Sequence, residues 1–204
     1  MGWVAFFLDQ IKQHWIEASI NFSATFCGVL FSFWIEHRRS KNREKEEFGK
    51  VLRSVLVESS NNHAILNNIR NTYRVGQTSG FELSTEVLGL ALTNPVFHQW
   101  ANHSLIVAAT ILGTNLRFVN NMLALYRHAQ ATGGGASARG VEELKIRAKT
   151  ALDIISVMQG LLDDAMDKIG ARVRKDGQSE ETNNRLARIF REETEAIKNL
   201  PKLG

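Results

Sequence analysis

The chain has 204 residues, a formal charge of +4 and a pI near 9.4. Its single cysteine, Cys27, excludes an intrachain disulfide framework and a cysteine zinc site, and so modest a positive charge argues against a nucleic-acid binder. Scarce proline and long stretches with helical spacing predict an all-α fold, with room for one membrane segment and one domain of ordinary size.

Residues 1–15 read as an amphipathic interfacial helix. Trp3, Val4, Phe7, Ile11 and Trp15 share one face, and Asp9, Lys12 and Gln13 point away. Tryptophan here suits a membrane–water interface. The alternative is one long tilted helix through residues 3–35. No positive cluster precedes a short apolar region, so a cleaved signal is not expected.

Residues 16–36 are expected to form a single transmembrane helix. From Ala18 to Ile35 eighteen consecutive residues carry no charge, close to the minimum that spans a hydrocarbon core about 30 Å thick. On a helical wheel Glu17, Asn21, Ala24, Thr25, Gly28 and Ser32 gather on one side, opposite Phe22, Phe26, Leu30 and Phe33. Ala24, Gly28 and Ser32 form a small-xxx-small pattern, which lets helices approach closely. The polar stripe is therefore the candidate oligomer- or pore-facing site. In a ring of copies, Glu17 would form a carboxylate collar favouring cations. Arg38, Arg39, Lys41, Arg43 and Lys45 follow the run, whereas Lys12 alone precedes it. The positive-inside rule then puts the N-terminus outside and the C-terminal side in the cytoplasm, at the inner or plasma membrane. Trp3, Phe7, Trp15, Arg38 and Arg39 are the expected membrane-interface residues.

Residues 37–204 read as a cytosolic bundle of about four to five helices. The first continues the membrane helix through Phe48, Val51, Leu52, Val55, Leu56, Leu66, Ile69 and Tyr73, ending near Gly76. Glu58 and Asn62 lie one turn apart, the pattern of a buried structural hydrogen-bonding pair. Ser84 or Thr85 is expected to cap a short helix to Leu92. Asn94-Pro95 should start a long helix reaching about Gln130. Residues Val87–Leu116 lack any Asp, Glu, Lys or Arg, but their polar residues would each need a partner in lipid. They are expected at the centre of the bundle. The Gly-rich segment 132–140 reads as a loop. Val141, Leu144, Ala148, Ala151, Ile155, Met158, Leu162, Ala165, Ile169 and Val173 then mark a bundle helix. A turn at 174–178 precedes a last helix capped by Ser179, with Leu186, Ile189, Phe190, Ile197 and Leu200 on its apolar side.

No catalytic signature emerges, and the chain is expected not to be an enzyme. The glycines at 133–135 lack the following Lys-Ser/Thr of a phosphate loop. His98 and His103, five residues apart, point about 140° apart on a helix, and no metal or other cofactor is expected. HEPN-type ribonucleases pair an arginine with a histidine at short helical spacing. Here Arg127 directly adjoins His128, and Arg53 is too far from His63. The expected partners are the lipid bilayer, other copies of the chain and a cytosolic protein. Two functions fit: an oligomeric channel or membrane-perturbing effector controlled by its helical domain, or a non-enzymatic anchor or adaptor recruiting a partner. The layout of the first is that of small single-pass bacterial proteins acting beside a cytosolic sensor, as in antiviral defence.

Overall fold

The computed structural model describes the backbone of residues 2–76, 80–169 and 178–201, and the side chains of Trp15, 21–76, 80–169, 181–182 and 184–201. Among these residues there are six helices: α1 (Gly2–Thr72), α2 (Glu86–Thr93), α3 (Pro95–Trp100), α4 (His103–Ala131), α5 (Ala138–Lys168) and α6 (Gln178–Lys198). The protein is all-α. It divides into two units, Met1–Glu46 and Glu47–Gly204.

The first unit is the N-terminal part of α1. Residues 2–15 and 16–36 belong to one unbroken helix rather than two joined by a bend. The reason is local. Neither Pro nor Gly stands between Trp3 and Cys27, so nothing releases a backbone hydrogen bond or relieves the chain at a kink.

The second unit is built around one apolar core. Phe48, Leu52, Val55, Leu66 and Ile69 supply its α1 contribution, at the helical spacing expected, and Tyr73 joins them just past the end of the helix. Phe48 meets Phe97 of α3 with ring centroids 6.1 Å apart. After α1, Gly76 adopts a left-handed φ of 82°, a conformation that glycine takes without steric strain. Its carbonyl accepts a bond from the Gln130 side chain at 3.0 Å.

The next stretch is held by side chains from two helices. Asn62 of α1 accepts from the Ser84 backbone N–H at 3.0 Å and donates to the Ser84 carbonyl at 2.7 Å. Asn120 of α4 does the same for Leu83, at 2.9 and 2.7 Å. Non-helical backbone is thus paired by side-chain amides. The first turn of α2 is also satisfied from outside. Thr85 occupies its N-cap position but makes no side-chain capping bond. Instead the Glu58 carboxylate accepts from the N–H groups of Val87 (3.1 Å) and Leu88 (2.8 Å) and from the Ser84 hydroxyl. The expected structural pair Glu58–Asn62 is real, but its partners lie across the fold. The expected cap at Ser84 or Thr85 is replaced by a carboxylate from α1.

Asn94 caps α3 as its sequence predicts, accepting from Val96 and Phe97 N–H. The long helix expected from Pro95 does not form in one piece. It breaks at Ala101, and Asn102 caps α4 by accepting from Leu105 N–H at 2.7 Å. Two asparagine caps eight residues apart make two helix starts. In the charge-free segment Leu88, Ala91, Phe97, Leu105, Ala108, Ala109, Leu112 and Leu116 are buried in the core. His98, His103, Thr110 and Thr114 are exposed. Helices α2–α4 therefore supply the interior of the bundle.

Gly133, with φ of 81°, follows α4. Ser137 caps α5 through Gly140 N–H. Val141, Leu144, Ala148, Ala151, Ile155, Met158 and Leu162 are all buried. Ala165 and Ile169 pack partly buried against the core. Val173 and the turn at 174–178 fall outside the described residues, except that Gln178 already opens α6. Ser179 thus lies within the helix rather than before it, a one-residue shift at a boundary. Leu186 and Ile189 are buried, and Phe190 is partly so.

Replacing Glu58 by Ala should destabilise the helical unit by about 2–4 kcal/mol, because buried donors at the start of α2 lose a charged acceptor. Replacing exposed Glu142 by Ala should shift stability by less than about 0.5 kcal/mol. Thermal unfolding followed by circular dichroism on the full chain distinguishes the two.

Candidate functional site

The side chains from Asn21 to Arg39 are exposed, with Ile35 alone half-buried. This exposure includes Phe22 (73%), Phe31 (61%), Phe33 (67%) and Trp34 (55%). Trp15, one of the expected interface residues, is also exposed. Exposed apolar surfaces of this extent are uncommon on isolated soluble domains and are typical of interaction surfaces. Among the described residues no helix is long and apolar enough to cross a membrane. The uncharged run starts at Ala18, however, and the side chains of Ala18, Ser19 and Ile20 lie outside those described.

The expected stripe keeps its helical register. Asn21, Ala24, Thr25, Gly28 and Ser32 all belong to α1 and are exposed. The side chains of Glu17, Trp3 and Phe7 lie outside the described residues. Two of the polar groups are internally satisfied. The Thr25 hydroxyl donates to the Asn21 carbonyl at 2.8 Å, and the Ser32 hydroxyl to the Gly28 carbonyl at 2.9 Å. Such back-bonding hides the donor of a hydroxyl without any outside partner. Asn21 is different, since its side chain makes no hydrogen bond to a described residue, leaving amide donors and an acceptor available.

Among the described residues nothing calls for glycine at position 28. A Cβ built there would meet nothing within 4 Å. Glycine inside a helix is about 1 kcal/mol less favourable than alanine. The bare backbone instead offers another helix a place to come close.

On the far side Phe22 and Phe26 stack at 6.2 Å, and on the flank next to it Phe31 and Trp34 stack at 5.9 Å. The Arg38 guanidinium lies 5.5 Å from the Trp34 ring centroid. Arg38 and Arg39 are both exposed.

A second polar cluster lies in the helical unit. Arg147 of α5 places its guanidinium carbon 3.8 Å from the Phe118 ring centroid on α4. It bonds Glu143 at 3.2 Å and Glu193 of α6 at 3.1 Å. Stacking and the planar donor fork together pin three helices through one side chain. Glu193 is 8% exposed. Burial pushes its carboxyl above the usual range; Arg147 opposes this and Glu143 adds to it. Sequence reading missed this cluster. Arg147 and Glu193 are 46 residues apart, and neither carries a motif.

Among the described residues no group of three or more His, Cys, Asp or Glu is placed to hold a metal ion. Asp163, Asp164 and Asp167 remain along α5, where Asp164 pairs with Lys168 at 2.8 Å. No protein-family model, curated protein or solved structure matches this chain.

The raised carboxyl of Glu193 has a definite pH signature. Its contribution to stability is fully present below the unfolded-state pKa and is lost as pH rises through the higher folded-state value. Relative to a Glu193→Gln variant, which does not titrate, the wild-type protein should be most favoured at acidic pH. That advantage should shrink toward neutrality. Melting temperatures of both proteins across the mildly acidic range test this, and a constant difference would contradict it.

Proposed function

We propose that this chain is a single-pass membrane protein that self-associates through α1 and forms an oligomeric channel or membrane-perturbing pore controlled by its helical domain. The observation that carries the reading is the two-sided run Ala18–Ile35. One side is large and aromatic, and the other is small and polar. Lipid suits the first side. The second, with Gly28 bare and Asn21 offering hydrogen-bonding groups, suits another copy of the same helix or a narrow column of water. The internally bonded Thr25 and Ser32 hydroxyls are compatible with either surrounding.

In this reading residues 16–36 cross the bilayer. Trp3, Phe7 and Trp15 lie at the outer interface, and Arg38 and Arg39 at the inner one. The N-terminus is outside and the helical unit cytoplasmic. Glu17, Asn21, Ala24, Thr25, Gly28 and Ser32 line the contact or the pore. Antiviral defence is one setting for an effector with this layout.

The purified full chain in detergent should be a ring larger than a dimer and should pass ions after reconstitution into vesicles. Gly28→Leu should weaken association by at least tenfold, which is about 1.4 kcal/mol. Leu30→Ala, on the opposite side, should leave association nearly unchanged. Asn21→Leu should abolish discrete conductance while the oligomer persists. Equal effects at Gly28 and Leu30 would mean that the interface is elsewhere. A discrete dimer without conductance would sink the pore reading. Co-purification of one stoichiometric protein without conductance would favour the adaptor.

A further inference from the structure

The basic residues after the uncharged run are not distributed evenly around α1. At about 100° per residue, Phe31, Trp34, Arg38 and Lys41 fall within roughly 80° of one another. Their side of the helix adjoins the one carrying Phe26 and Leu30. Arg39 and Arg43 fall instead in line with Asn21, Gly28 and Ser32. The four exposed basic residues thus separate into two pairs, one continuing the aromatic side and one the small polar side, while the fifth, Lys45, is half-buried on the aromatic side.

The aromatic-side pair has the chemistry of a phosphate site beside an apolar surface. Phe31 and Trp34 stack, and Arg38 lies over the Trp34 ring. A cation held over a ring does not consume its N–H donors, so the Arg38 guanidinium can still bond an anion. Arg38 and Lys41 are exposed, and neither forms an ion pair among the described residues. Nearby Glu44 accepts from the Ser40 hydroxyl at 3.3 Å, and Glu47 from the Asn94 side chain at 3.3 Å.

We propose that Trp34, Arg38 and Lys41 form a headgroup site for anionic phospholipid at the inner edge of the membrane-spanning part of α1. This rests on the membrane-spanning reading above. It goes beyond the positive-inside rule, which counts charges in a flank and is blind to the side of the helix on which they lie. A headgroup site requires the charges on the side that faces lipid, next to an aromatic ring at headgroup depth. Arg38 and Lys41 satisfy that condition, while Arg39 and Arg43 do not.

The test uses the full chain reconstituted in phosphatidylcholine vesicles doped with spin-labelled phosphatidylglycerol or spin-labelled phosphatidylcholine. Wild-type protein should immobilise the phosphatidylglycerol probe preferentially, with a contribution of about fivefold per basic residue at the site. The Arg38→Gln/Lys41→Gln double variant should bring the preference close to unity. The Arg39→Gln/Arg43→Gln double variant removes the same charge and should retain it. Equal loss in the two double variants, or no preference in the wild type, overturns the headgroup site while leaving the membrane-spanning helix intact. Displacement of the anionic probe by an oligonucleotide would assign the stripe to nucleic acid and overturn the site. Absence of any immobilised component with either probe, together with failure of the protein to float with vesicles, overturns both readings.

Discussion

The carboxylate of Glu58 stands where the backbone of α2 begins, and the helical unit depends on that placement. A helix start leaves backbone N–H groups without intrahelical acceptors, and here one of them, at Leu88, is buried and another, at Val87, is partly so. Glu58 receives both, along with the Ser84 hydroxyl. The negative charge also suits the positive end of the α2 dipole. One turn further along α1, Asn62 pairs both backbone groups of Ser84, and from α4 Asn120 pairs both of Leu83. A short non-helical segment can then cross between helices with its polar groups satisfied. Leu83 and Leu88 are consequently delivered into the core on either side of it.

The other unit has the opposite character. Between Asn21 and Arg39 α1 exposes aromatic side chains that its own fold leaves uncovered. Within the helical unit, by contrast, the α1 residues at core spacing are buried. The same helix therefore carries two kinds of surface in series. Its helical spacing persists, but the material that completes the burial changes. In the C-terminal half it is the rest of the chain. In the N-terminal half, under the proposed function, it is lipid on the aromatic side and a second copy or water on the polar side.

Arg147 shows a different way of joining elements. Its charge is matched by Glu143 and Glu193, and its face by the Phe118 ring. A pair exposed on both sides would contribute little. With Glu193 buried, removal of Arg147 would leave it without a compensating charge, whereas removal of Glu193 leaves Arg147 paired with Glu143. One side chain, whose partners were brought together by packing, thus adds a polar link between α4, α5 and α6 to their shared apolar core.

The sequence by itself determined the helical class, the core face of α5, the Asn94 cap, the buried pairing role of Glu58 and Asn62 and the two-sided character of residues 18–35. Each is set by neighbours within one or two turns, where periodicity and capping chemistry act. Only the tertiary structure decided which groups Glu58 and Asn62 bind, that Asn120 completes the pairing of Leu83 and that Arg147 reaches Glu193. Those partners are tens of residues apart, and no local rule relates them. Two local expectations also changed. The residues before 16 continue the same helix because nothing there breaks it, whereas the helix from Pro95 stops because Asn102 offers a second cap. The stripe around Gly28 was legible for the same reason as the α5 face, since a helix repeats its direction every few residues. Under the proposed function, what covers that stripe lies beyond a single chain, because the atoms that would complete its burial belong to other molecules.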